Sequence, residues 1–219
     1  MSGLEIYGAI TATIALLETC KKIYDTAHNA KGLPDAFARV AENIPIVRTV
    51  LVNIQQGLEA RHKAVKDPGD TVNKQELEDA ISSVQSIVRT CRENAEDLRI
   101  IFEKVTSADD ASWLKRYKAA IRTLKHGRQE KVESLMKEIL EKLDLLHKED
   151  YFQNAVQSVD LKAAIKLLEE VDASLPEQNG INFYNSGSGP QNSNTGPGTQ
   201  NNNNISGANG TQTNNYGRN

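Results

Sequence analysis

Apolar residues recur at alternating steps of three and four over most of the first 175 positions, a spacing that places them along one side of an α-helix. The first block runs from about Leu4 to Ala27, with Ile6, Ile10, Ile14, Leu17 and Tyr24 on one stripe. Leu4, Tyr7, Leu16 and Ile23 widen that stripe, so little of the first three turns is polar. A second block opens at Gly32-Leu33-Pro34-Asp35, where proline suits the first helical turn. It continues through Phe37, Val40, Ile44, Val47, Leu51, Ile54 and Leu58. Pro45 lies inside it and removes the hydrogen bond to the Ala41 carbonyl, so a kink is expected there. Asp67-Pro68-Gly69-Asp70 reads as a turn.

The third block keeps its rhythm longest. Leu77, Ile81, Val84, Val88, Cys91, Ala95, Leu98, Phe102 and Val105 form a seam suited to shallow-angle packing, as in a left-handed bundle. Ser107-Ala108-Asp109-Asp110 breaks it and offers capping side chains. A fourth block places Leu114, Tyr117, Ile121 and Leu124 on one face, then resumes after Gly127 with Val132, Met136, Ile139, Leu143 and Leu146. A fifth, from about Ala155 to Ala173, ends before Pro176. No segment sustains a period of two. The expectation is an all-α, multi-helix bundle of four to six helices over residues 1–175, followed by a separate tail over 176–219.

The tail changes the picture because its composition differs from everything before it. From Gln178 to Gly217 there is no Asp, Glu, Lys or Arg. Such a segment cannot bury enough apolar surface to offset chain entropy, so it is expected to be disordered as a monomer. It nevertheless carries an order. Gly189, Gln191, Asn192 and Asn194 are echoed by Gly198, Gln200, Asn201 and Asn203, and again by Gly210, Gln212, Asn214 and Asn215. Identical amides stacked ~4.7–4.8 Å apart form hydrogen-bonded ladders, and a charge repeated in every layer would oppose the stack. The echoes therefore point to a prion-like, self-templating segment, with passive disorder as the competing reading.

Charge excludes more than it suggests. The formal net charge of −3 gives no global attraction to nucleic acid, which is not expected as a partner. Lys115, Lys118, Arg122 and Lys125 each stand one residue behind the Leu114–Leu124 stripe and form their own row, roughly 100° round the helix. Arg116, Arg128 and Lys131 thicken the block. Such a row is an ordinary solvated face, or a binding face for anionic phospholipid or for an acidic partner.

Catalytic chemistry is not legible. There is no Gly-rich phosphate loop, no helical pair of zinc-binding histidines and no nucleophile elbow. His28, His62, His126 and His147 share no spacing and read as surface residues. Glu42, Glu78, Asp79, Glu93, Asp97, Glu133 and Glu138 lie between stripe positions and read as a solvated helix face. No catalytic residue, metal or cofactor is expected. Cys20 and Cys91 sit in apolar helical patterns and read as buried thiols of a reducing compartment. Glu5 stands where a secretory signal would need a basic residue. The uncharged stretch Ile6 to Leu17 is shorter than the ~20 apolar residues of a membrane span and reads as a core helix at rest. Released, the same stretch could lie in a bilayer with Lys21 and Lys22 at headgroup level.

Several stretches together carry a family resemblance: Lys31-Gly32-Leu33-Pro34-Asp35-Ala36-Phe37, Pro45 with Val50-Leu51, Cys91 with Ala95-Glu96-Asp97-Leu98, and Ile101-Phe102. Trp113 with Arg116-Tyr117, Lys131-Val132-Glu133, Leu135-Met136 and Ile139-Leu140 complete the set. Over about Leu4 to Leu146 the chain resembles the fungal SesA-type domain, described as an N-terminal domain of NACHT and other P-loop NTPases. The tail resembles the sigma-type amyloid motif of fungal prion-like signalling proteins. The resemblance implies a HeLo-like bundle and a cell-death effector of the heterokaryon-incompatibility kind. It implies as partner an NLR-type nucleotide-binding receptor whose own motif nucleates the tail. It also implies a cytoplasmic resting protein that reaches the cell periphery and acts on membrane phospholipid through its first helix, with Ile6, Ile10, Ile14 and Leu17 as the membrane-active side chains. The competing reading is a non-enzymatic adaptor whose bundle binds a partner helix.

Overall fold

A computed structural model describes residues 3–27, 32–65, 74–107, 111–124, 131–146, 152 and 158–175. The described part is all-α, with six helices and, among the described residues, no strand: α1 (Gly3–Thr26), α2 (Asp35–Ala64), α3 (Lys74–Thr106), α4 (Trp113–Thr123), α5 (Val132–Leu146) and α6 (Ser158–Glu170). The chain divides into two units, residues 1–176 and 177–219, and the described residues all lie in the first. The expected turn at 67–70, the break at 108–110 and the whole amide-rich tail lie outside the described residues.

The longest seam became the longest helix and the middle of the fold. α3 packs against α1, α5, α4 and α2, and its Val84, Val88, Cys91, Ala95, Leu98, Phe102 and Val105 are all buried. α2 also meets α1, α5 and α6, and α5 meets α6. A chain of rings ties four helices at one place: Tyr24 of α1 meets Phe102 of α3, whose ring centroid lies 5.3 Å from Phe37 of α2. Phe37 in turn meets the Tyr117 ring of α4 at 5.2 Å, edge to face. Edge contacts of this kind add to area burial because the positive ring edge meets the negative face.

Local chemistry explains several details. Thr13 is buried on α1, and its hydroxyl donates to the Ala9 carbonyl one turn back at 2.8 Å, which satisfies it without a partner from another helix. Pro34 stands at the N-cap of α2, one position before the first helical turn where its ring was expected. α2 then runs unbroken through Pro45 to Ala64, its last turn carrying Arg61, His62 and Lys63 where the helix dipole favours positive charge. The expected fourth block is two helices. Leu124 turns to an extended conformation (ψ 134°), which ends α4 at Thr123, and α5 begins at Val132.

Candidate functional site

The four side chains expected to act on a membrane sit in the core. Ile6, Ile10 and Leu17 are at most 1% exposed, and Ile14 is half-buried against them. The outer side of α1 carries Gly8, Thr11, Ala15, Glu18 and Thr19, all small or polar. α1 is thus a core helix here, as its apolar length suggested, and Arg48 of α2 holds its outer side by donating to Glu18 at 2.6 Å. Among the described residues no helix is long and apolar enough to cross a membrane. Beside α1 runs an open groove of about 610 Å³, floored by Ala12, Ala15 and Leu16 and walled by Arg89, Arg92 and Glu93 of α3. Small α1 side chains next to long charged α3 side chains leave that space.

α4 presents the opposite picture. Lys115 and Arg122 are exposed and Lys118 is half-buried; Lys125 lies outside the described residues. Arg116 does not belong to the row. Its guanidinium donates to the carbonyls of Val105, at 3.0 Å, and Ala111, so it clamps the start of α4 onto the end of α3. An arginine fork suits this task, since it meets carbonyls at a helix end that lack helical partners.

The carboxylates assigned to a solvated face divide on inspection. Asp97 is buried, and Glu138 of α5 accepts from the Asn94 amide of α3 at 2.9 Å. Glu133 accepts the backbone N–H of Ser174 at 3.0 Å. The other Glu133 oxygen is buried and makes no hydrogen bond among the described residues. Glu138 thus meets a neighbouring helix, Glu133 meets the segment after α6, and Asp97 is withdrawn from solvent. Spacing alone missed this because it marks where the stripe lies and is silent on its margins, where a carboxylate can reach a partner across a helix contact.

Glu133 belongs to a buried junction that joins α4, α5 and the segment after α6. The Tyr117 hydroxyl accepts from the Val132 N–H at 2.9 Å and shares a hydrogen bond with the Ser174 hydroxyl at 2.7 Å. Tyr117 and Ser174 are both almost completely buried. Burial pushes the Tyr117 phenol well above its ordinary value, against the opposing pull of its bonds to Ser174 and Val132. The sequence signal was present without its meaning: Arg116-Tyr117 and Lys131-Val132-Glu133 are two of the stretches that carried the resemblance.

Cys20 and Cys91 are fully buried free thiols, and burial pushes both up to about 12. At that value the protonated thiol is the form present near neutral pH. Among the described residues no group of His, Cys, Asp or Glu is placed to hold a metal ion. His62 is exposed at the end of α2; His28, His126 and His147 lie outside the described residues.

The fold and its junctions define an all-α helical domain. The family described as the N-terminal domain on NACHT NTPases and P-loop NTPases, SesA, matches residues 10–146, from the second turn of α1 to the end of α5. The chain belongs to that family. No curated protein and no solved structure matches it.

Proposed function

We propose that this chain is a non-enzymatic signalling effector of programmed cell death, switched on when an NLR-type receptor with a like motif templates its tail into amyloid. The observation that carries the reading is the tail itself: three ordered Gly-x-Gln echoes in a stretch without charge from Gln178 to Gly217. The family supplies context, since its domain is described as standing at the N-terminus of NACHT and other P-loop NTPases. In this reading the bundle rests in the cytoplasm with α1 buried. Assembly of the tail then loosens the attached bundle, and α1 acts on the membrane.

A second reading is favoured by the depth at which α1 is held and by the groove along it. There the bundle stays folded and works as an adaptor that takes a partner helix, with the tail serving only for recruitment.

The tail peptide 177–219 is expected to form thioflavin-positive fibrils that seed the full chain, whereas a shuffled peptide of the same composition does not. A peptide that stays monomeric for days at high concentration removes the trigger. Leakage of liposomes by the seeded full chain separates effector from adaptor. Thr11→Asp is the informative variant, because Thr11 is exposed in the bundle and a carboxylate at a helix centre costs about 3 kcal/mol of insertion. The effector leaks and its T11D variant does not; the adaptor leaks in neither form.

A further inference from the structure

We propose that the outer face of α4 is a docking surface for anionic phospholipid headgroups that works in the folded bundle, with α1 still buried. It shares only the membrane with the function proposed above, and it needs neither the tail nor any release of the first helix.

Lys115, Lys118 and Arg122 fall within roughly 60° of arc and about 10 Å of helix length. None of the three makes an ion pair or hydrogen bond among the described residues. Several cations elsewhere are engaged, Lys21 with Asp25, Arg39 with Glu42, Arg48 with Glu18 and Lys166 with Glu170, whereas the α4 row gathers three unengaged cations on one helix face. The α4 row is also held in place. Arg116 clamps the helix to α3, and Tyr117, Ala120 and Ile121 bury its inner side.

The chemistry of the face selects a headgroup layer over an acidic protein. Protein interfaces centre on buried apolar or aromatic anchors. The exposed large hydrophobics among the described residues are Leu145, Val159 and Leu167, on α5 and α6, while Trp113 of α4 packs inward. The residues set among the cations are Ala119 and Thr123, small and exposed. A convex row of fixed charge without an anchor suits many mobile phosphates at low specificity. Each cation close to an anionic surface contributes about fivefold to partitioning, so three give roughly a hundredfold, decaying as salt shortens the Debye length.

The test is co-sedimentation of the full chain with vesicles of phosphatidylcholine alone or mixed equally with phosphatidylserine. Binding is expected only to the mixed vesicles, weakening with salt, and equally for a protein with a shuffled tail and for T11D. The triple variant Lys115→Gln, Lys118→Gln, Arg122→Gln should bind about a hundredfold more weakly with an unchanged helical circular-dichroism spectrum and melting point. A control triple, Lys63→Gln, Lys104→Gln, Lys162→Gln, removes the same charge from exposed positions elsewhere and should bind like the parent. Equal losses in the two triples would reduce the effect to net charge and overturn the proposal. So would equal binding to the two vesicle types, or an acidic polyglutamate peptide that binds the row while vesicles do not. Displacement from vesicles by millimolar inorganic phosphate at constant ionic strength would also overturn it, marking a site for free phosphate. Failure of the tail to form fibrils leaves every one of these outcomes unchanged.

Discussion

α1 and α4 are the two helices whose sequences invite a membrane, and the fold treats them in opposite ways. α1 has the most apolar composition of the six helices and hides it: Ile6, Ile10 and Leu17 are buried against α3 and α2, and small or polar residues face out. α4 carries a row of charge and displays it. The contrast follows from desolvation. Apolar side chains are stabilised by any dry neighbour and take the nearest one, whereas leaving water costs Lys and Arg free energy, so they stay outside unless paired. Apolar content therefore cannot distinguish a core helix from a membrane helix, because the core competes for the same surface. A charged row suffers no such competition.

The largest expected effect tests the α1 side. Ile10→Asp puts an unpaired carboxylate at a fully buried position and should cost at least about 4 kcal/mol, read as loss of the cooperative urea transition. Were the variant to melt like the parent, α1 would not be part of the core.

Alkaline pH comes next. Cys20 and Cys91 have their folded values raised from about 9 to about 12, so the native state holds protons that the unfolded chain gives up. The thiols' contribution to stability should be constant below pH 9 and fall as pH rises towards 12, at up to about 1.4 kcal/mol per unit per thiol. The raised Tyr117 phenol adds a fall of the same sign above pH 10. Urea midpoints across that range check it, and Cys20→Ala should halve the slope that the thiols contribute.

Tyr117→Phe sharpens the comparison from the α4 side, since it keeps the packed ring and removes only the hydroxyl that ties the displayed helix to α5 and to Ser174. The Val132 N–H and the Ser174 hydroxyl lose their buried partner, at a cost of about 1–3 kcal/mol. Hydrogen exchange should show faster exchange at Val132 and Ser174 than in α1. The smallest effect belongs to the outer face: the α4 triple variant should shift stability by less than about 0.5 kcal/mol, because it removes unpaired charge from exposed or half-buried positions.

Much of the fold was legible from spacing. The seam from Val84 to Val105 kept helical period through α3, and its members are buried. Boundaries were less so. The division of the fourth block depends on Leu124, a stripe residue that stays buried while its backbone turns extended, and hydrophobic spacing does not report backbone angle. Of the candidate site, the cations of α4 were legible because their surroundings are solvent. Arg116 was not: it stands in the same cluster, and its bonds to the carbonyls of Val105 and Ala111 set it apart from its neighbours.

By itself the sequence determined the helical class, the seam at the centre and the sharp change to a charge-free, echoing tail, because these depend on period and composition within a single stretch. Tertiary structure alone decided that Tyr117, Val132, Glu133 and Ser174 meet, that Asp97 is buried, and that α1 keeps its apolar side inside. Those outcomes depend on which side chains distant segments bring within hydrogen-bonding or van der Waals reach. No local pattern carries that information.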